Sequence, residues 1–223
     1  MIWALLSGIL IGTNYIPFPP WALLFALVPL WTAWFKTPNV KFVFWSGWLT
    51  QFVLTLIGFH WIAYTTVEFG HMPWFVGVLV QIAFCCFANL HYPLSGLLWL
   101  FVQKRVPMGA LASVCLLALF LNLGELLWPM IFPWNLGYPW LWSRLPIFQL
   151  GDLIGTDGLS LISLLGNVLC FFIWQQHKNP KQALRLALCG LVCFVALNLS
   201  GFLRTKSLAP PNKILKVLAV QGN

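Results

Sequence analysis

The sequence predicts an all-α polytopic membrane protein of about seven transmembrane helices, and three observations carry that reading. Hydrophobic residues make up 61% of the 223 and charged residues only 7%, whereas a soluble domain uses about 25% charged residues to solvate its surface. The apolar residues come in runs separated by short polar or proline-bearing breaks, and about 20 of them cross a ~30 Å hydrocarbon core. The cations behind the net charge of +8 are gathered at alternate breaks. Such clusters signal topology, and no nucleic acid is expected as a partner.

The elements follow in order. Met1 to Gly12 is apolar but short. It has no basic leader and no small-residue cleavage site, so a shortened first membrane helix fits better than a signal peptide. A proline-rich turn, Asn14 to Pro20, leads to a second helix over Trp21 to Phe35. Phe42 to Ala63 is the third span, and Tyr64 to Pro73 a polar loop with Glu68 and His71. The fourth run, Trp74 to Val102, would reach ~43 Å as a straight helix, more than the core needs. Pro93 is expected to kink it and to leave the Asn89 carbonyl without its helical donor.

Met108 to Leu127 is the fifth span, with Glu125 near its end. Gly158 to Gln176 is the sixth and places Ser160, Ser163, Asn167 and Cys170 at three- and four-residue spacing beside Gly166. That small, polar stripe reads as a helix–helix contact face. Ala183 to Phe202 is the seventh. Residues 1–203 thus form the transmembrane domain. Residues 204–223 read as a linker and a strand, because Ile214, Leu215, Val217, Leu218 and Val220 follow a Pro-Pro turn as a short β-branched run. A lone strand has unpaired edges, so this one is expected to open a soluble domain.

Loop charges set the expected orientation. Lys36, Lys41, Lys104, Arg105, Lys178, Lys181 and Arg185 fall in one set of alternate loops. The opposite short loops hold Arg144 with Glu68, Asp152 and Asp157. By the positive-inside rule the N-terminus is cytoplasmic, and the Arg144 loop and the C-terminal tail face outward.

Trp128 to Ser160 is the longest interruption, with four tryptophans and four prolines (Pro129, Pro133, Pro139, Pro146) that forbid a regular helix. The six cysteines, Cys85, Cys86, Cys115, Cys170, Cys189 and Cys193, all lie in apolar runs. They read as small buried hydrophobes, with no disulfide, metal or cofactor expected.

GFHWIAYTTVEFGHMP (58–73), FPWNLGYPW (132–140), the spaced Gly155, Gly158 and Ser160, and the terminal VLAVQGN resemble bacterial apolipoprotein N-acyltransferase, in order along the whole chain. The resemblance implies an inner-membrane enzyme that moves an acyl chain from a phospholipid to the N-terminal diacylglyceryl cysteine of a lipoprotein. It works through a cysteine thioester with a glutamate base and an oxyanion lysine, in a nitrilase-like domain on the outer face. That domain begins with a strand resembling VLAVQGN, so this chain is expected to stop at its first strand. No catalytic residue can be carried over, and the chain alone is expected to be inactive.

Under that resemblance Trp134, Asn135 and Tyr138 are candidates to line a lipid path; the alternative is an aromatic belt that anchors helices. Arg144 suits a lipid phosphate or is a solvated loop charge. His60 and Trp61 either touch a headgroup or bond a neighbouring helix, and Glu68 either meets the lipoprotein amine or is solvated. Asn89 and His91 lie deeper, where polar groups are costly, with the Pro93 kink as their structural reason. Two other functions compete. A small transporter is disfavoured by the lack of repeats and of deep charges beyond Glu125. A non-catalytic assembly partner of a separate nitrilase-like subunit is the other.

Overall fold

The computed structural model describes residues 1–132 and 134–208. These form nine α-helices: α1 Ile2–Gly12, α2 Val28–Lys36, α3 Val40–Gly58, α4 Trp61–Glu68, α5 Trp74–Phe87, α6 His91–Arg105, α7 Ala110–Leu127, α8 Gly151–Gln175 and α9 Pro180–Ser207. Two 3₁₀ turns, Tyr138–Trp142 and Pro146–Leu150, lie between α7 and α8. The expected strand at 214–220 lies outside the described residues.

Five segments are long and apolar enough to cross a bilayer: α3, α5 with α6, α7, Pro146–Gln175 and α9. The all-helical class holds, and the count of seven spans is approximate, because α1 and α2 have only 11 and 9 residues. At 1.5 Å per residue each reaches about half the hydrocarbon thickness.

The second span was expected from Trp21, yet helix begins only at Val28. Pro29 sits in its first turn, where a missing N–H costs nothing. The irregular stretch before it survives in an apolar setting because side chains from elsewhere bond its backbone. The Ala22 N–H donates to Asn14 Oδ1 at 2.8 Å and the Leu27 N–H to Asn167 Oδ1 at 2.8 Å. Asn167 Nδ2 returns a bond to the Leu23 carbonyl at 2.9 Å, and the Leu30 N–H reaches Ser7 Oγ at 3.0 Å. Non-helical backbone at membrane depth needs such partners.

Two more expectations are corrected. The third span ends at Gly58, and much of the expected polar loop is helix α4, with Thr65 and Thr66 bonded back to the carbonyls one turn earlier. The long fourth run breaks at Ala88–Leu90, ahead of Pro93. The Asn89 carbonyl is not orphaned: it accepts the Tyr92 N–H at 3.1 Å, a tighter turn that spares the donor Pro93 lacks. Gln51 and Thr55 of α3 secure the break: the Asn89 N–H donates to Gln51 Oε1 (3.3 Å) and Asn89 Nδ2 to Thr55 Oγ1 (2.9 Å).

The core is aromatic and apolar, with Trp31, Trp34, Trp99 and Phe171 fully enclosed. Trp34 stacks on Trp99 at 6.4 Å and donates to Ser46, and Trp99 donates to Ser113. These contacts gather the ends of α2, α6 and α7 that carry or adjoin Lys36, Lys104 and Arg105. The acids Asp152 and Asp157 lie toward the other end, where Arg204 pairs with Asp152 at 2.8 Å. Helix α9 continues five residues past Phe202, to Ser207, which is what brings Arg204 there.

Candidate functional site

The Trp/Pro segment does not simply lie on the surface. Its middle folds back among the helices: Asn135, Leu136, Gly137, Pro139 and Trp140 are buried. The Leu136 N–H donates to Glu125 Oε1 at 3.0 Å, and the Gly137 N–H to Ser160 Oγ at 2.8 Å. Trp140 Nε1 donates to Ser163 Oγ at 2.9 Å, and Ser163 donates on to the Leu136 carbonyl at 3.1 Å. Asn135 Nδ2 reaches Asp157 Oδ1 at 2.8 Å. A Cβ on Gly137 would stand 2.8 Å from the Ser160 nitrogen and closer still to the Thr156 carbonyl, so only glycine permits this approach.

The polar stripe of the sixth span therefore has a more specific role than helix–helix contact. Ser160 and Ser163 bond the central loop, and Asn167 bonds the irregular stretch before α2. Helix α8 starts at Gly151 and not at Gly158, and places Asp157 on the helix facing Asn135. Gly155 bends it, with φ 68° and ψ 179°, a conformation open in practice only to glycine.

Trp134 stands at the head of the loop, between Tyr15 (4.7 Å, edge-on) and Phe59 (4.6 Å). Trp142 also faces Tyr15, at 6.2 Å. Among the described residues, the buried indole N–H groups of Trp134 and Trp142 have no acceptor, and Asn135 Oδ1 and Glu125 Oε2 have no donor. Burial first, and the Glu125 carboxylate second, hold the Tyr15 phenol well above its ordinary value of 10, so it stays neutral.

Beside Trp134 a cleft of about 350 Å³ opens between α3, α5 and the start of the loop. Phe59, Phe84, Phe87, Trp128, Ile131 and Phe132 form its apolar wall and Asn89 its polar point. Trp128 Nε1 donates to the Ala88 carbonyl at 3.0 Å and fixes the loop across the helix break.

The other candidate residues separate into two groups. Trp61 joins the aromatic cluster, 5.2 Å from Phe132. His60 bonds the Ile57 carbonyl of its own chain segment at 2.9 Å, not a neighbouring helix, and its ring is exposed. Tyr138 is half-buried. Arg144 is exposed at a left-handed φ of 59°, and Glu68 is exposed at the end of α4. Trp134, Asn135 and Trp61 are thus brought together, and Arg144 and Glu68 are not part of that cluster. Sequence reasoning gave no weight to Glu125 and Tyr15. An ionisable residue inside an apolar run was the available signal for the first; nothing local marks the second.

The profile of the apolipoprotein N-acyltransferase N-terminal domain matches residues 7–169. The chain belongs to the apolipoprotein N-acyltransferase family. A Bdellovibrio bacteriovorus apolipoprotein N-acyltransferase is 44% identical over 223 residues, which cover 99% of this chain and 41% of that protein. A Geobacter metallireducens apolipoprotein N-acyltransferase is 28% identical over 230 residues, covering 99% and 42%. The protein named apolipoprotein N-acyltransferase 2 in Leptospira interrogans is 25% identical over 198 residues, covering 81% and 31%. The chain therefore spans less than half the length of these relatives. The matched N-acyltransferase region includes the central loop and most of α8, the two elements that build the site.

Proposed function

We propose that this chain is the membrane part of an apolipoprotein N-acyltransferase and presents a phospholipid acyl donor at the end of the bundle where the central loop folds in. Residues 1–203 serve as the membrane unit, and 204–223 lead into a nitrilase-like domain that takes the acyl chain to a diacylglyceryl lipoprotein. The setting is a bacterial inner membrane, with the N-terminus cytoplasmic and the central loop outward, on the strength of the cation asymmetry.

The aromatic cleft carries this reading. Its apolar wall, built from the α5 residues Phe84 and Phe87 and from Phe59 and Phe132, suits an acyl chain. Behind its Phe59 wall lies Trp134, 4.6 Å from that ring, whose buried indole N–H has no acceptor among the described residues and suits an ester or phosphate oxygen if the wall opens. The loop is held by the Glu125, Ser160 and Ser163 bonds. A headgroup placed against it is therefore positioned at low entropic cost. Arg144 and Glu68, both exposed, are left for the headgroup rim or the lipoprotein.

A phospholipid with a diazirine in its acyl chain tests this reading. Photolysis should label Phe84, Phe87 or Phe132 before other lipid-facing residues, and replacing Ala83 with tryptophan to fill the cleft should remove the label. Uniform labelling of the outer helix faces would return the loop to plain anchoring.

A further inference from the structure

A second cavity, of about 620 Å³, lies between α1, α2, α8 and the start of α9. Trp3, Leu6, Leu10, Phe25, Cys170 and Ile173 make it apolar. Two helical columns run along it. On α2, Val28 and Thr32 line the wall, and Lys36 stands one turn further on the same face. On α8, Cys170, Ile173 and Trp174 line it at helical spacing, and His177 follows in the turn just past the helix end. Both columns end in cations, because Lys178 and Lys181 lie between the lining residues His177 and Ala183.

The wall and the mouth together say what should occupy it. The wall is apolar apart from Thr32 and His177. The mouth is positive without compensation: Lys36, Lys178 and Lys181 are exposed, and the four acids, Glu68, Glu125, Asp152 and Asp157, belong to other segments. An apolar bore capped by lysines, with indoles of Trp3 and Trp174 near the rim, matches an acyl chain below an anionic headgroup.

We infer that this cavity binds an anionic phospholipid from the leaflet at the cation-rich end, with one acyl chain along the Val28–Thr32 column and the phosphate at Lys36, Lys178 and Lys181. The site is separate from the aromatic cleft: no residue lines both.

Native mass spectrometry of the chain in detergent tests it by titrating phosphatidylglycerol and phosphatidylcholine with matched acyl chains. Phosphatidylglycerol should be retained selectively. The selectivity should fall by about fivefold for each of Lys36→Gln, Lys178→Gln and Lys181→Gln, from about 1 kcal/mol per cation near a lipid headgroup. Leu6→Trp, which fills the bore from a half-exposed position, should remove bound lipid while the thermal unfolding temperature stays within a few degrees of the parent. Equal retention of the two lipids, or retention unchanged by Leu6→Trp, would overturn the inference. So would competition by inorganic phosphate at the lipid's own concentration, since the chain would then contribute nothing.

Discussion

Asn167 satisfies three backbone groups with one side chain: the Leu27 N–H, the Leu23 carbonyl and the Ser163 carbonyl. Asn167→Ala strands the first two in an irregular, buried stretch. Each unsatisfied buried group costs roughly 1–3 kcal/mol, so the variant should lose about 2–6 kcal/mol in reversible unfolding from mixed micelles. Asn167→Asp keeps the acceptor and should restore part of the loss only if it is the Leu27 N–H that matters more. Glu125 allows a similar comparison. Glu125→Gln retains an oxygen for the Leu136 N–H, whereas Glu125→Ala leaves that donor bare. The alanine variant should be the less stable of the two by about 1–2 kcal/mol; equal stabilities would mean that the Glu125 bond does not hold the loop.

At the scale of the element, the central loop is a docked structure, and its docking and its chemistry can be separated. Gly137→Ala drives a methyl group into the α8 backbone and should release the loop. Limited proteolysis should then cut between Trp128 and Leu150 at least tenfold faster, with the helices intact. Trp134→Ala should leave docking in place, because the Leu136, Gly137 and Trp140 bonds do not involve its ring. In a protein that includes the catalytic domain, it should lower acyl transfer by about tenfold or more, the loss expected when a positioned headgroup becomes mobile. Tyr138→Ala should act in the same direction and less strongly, since Tyr138 is not in the Trp134 aromatic cluster. Wild-type turnover in Trp134→Ala would limit the loop to anchoring.

For the whole molecule, the charge asymmetry makes a topology that can be read directly. Reporter fusions after Arg105 and Lys181 should report cytoplasm, and a fusion beside Arg144 the opposite side. A periplasmic signal at Lys181 would break the proposed orientation. The chain on its own should not acylate a diacylglyceryl peptide. Its thiols lie along α5, α7, α8 and α9, and Cys85 takes its hydrogen bond from a neutral amide, Gln81 Nε2 at 3.2 Å. A thioester mechanism needs a thiolate beside a base or positive charge, and donors aimed at the oxyanion. Labelled phospholipid should leave no hydroxylamine-sensitive acyl group on the protein; a cysteine adduct that passes to peptide would refute this.

The sequence by itself determined the solvent, the helical class and the family. Composition dictates lipid as solvent, since 7% charge cannot cover a soluble surface. Ordered motifs such as FPWNLGYPW dictate the family without any contact being known. The start of α3, expected at Phe42, lies two residues earlier at Val40, where the local signal was the Asn39 side chain that accepts from the Lys41 and Phe42 N–H groups. Helix limits were not legible over Trp21 to Leu27, where apolar residues form turns because Asn167, 140 positions away, bonds the Leu27 N–H. The central loop divides in the same way. Its four prolines announced irregular backbone, but only tertiary structure decided that it folds inward. That choice rests on Glu125, Ser160 and Ser163 arriving from two other helices to bond backbone that hydrocarbon would leave unpaired.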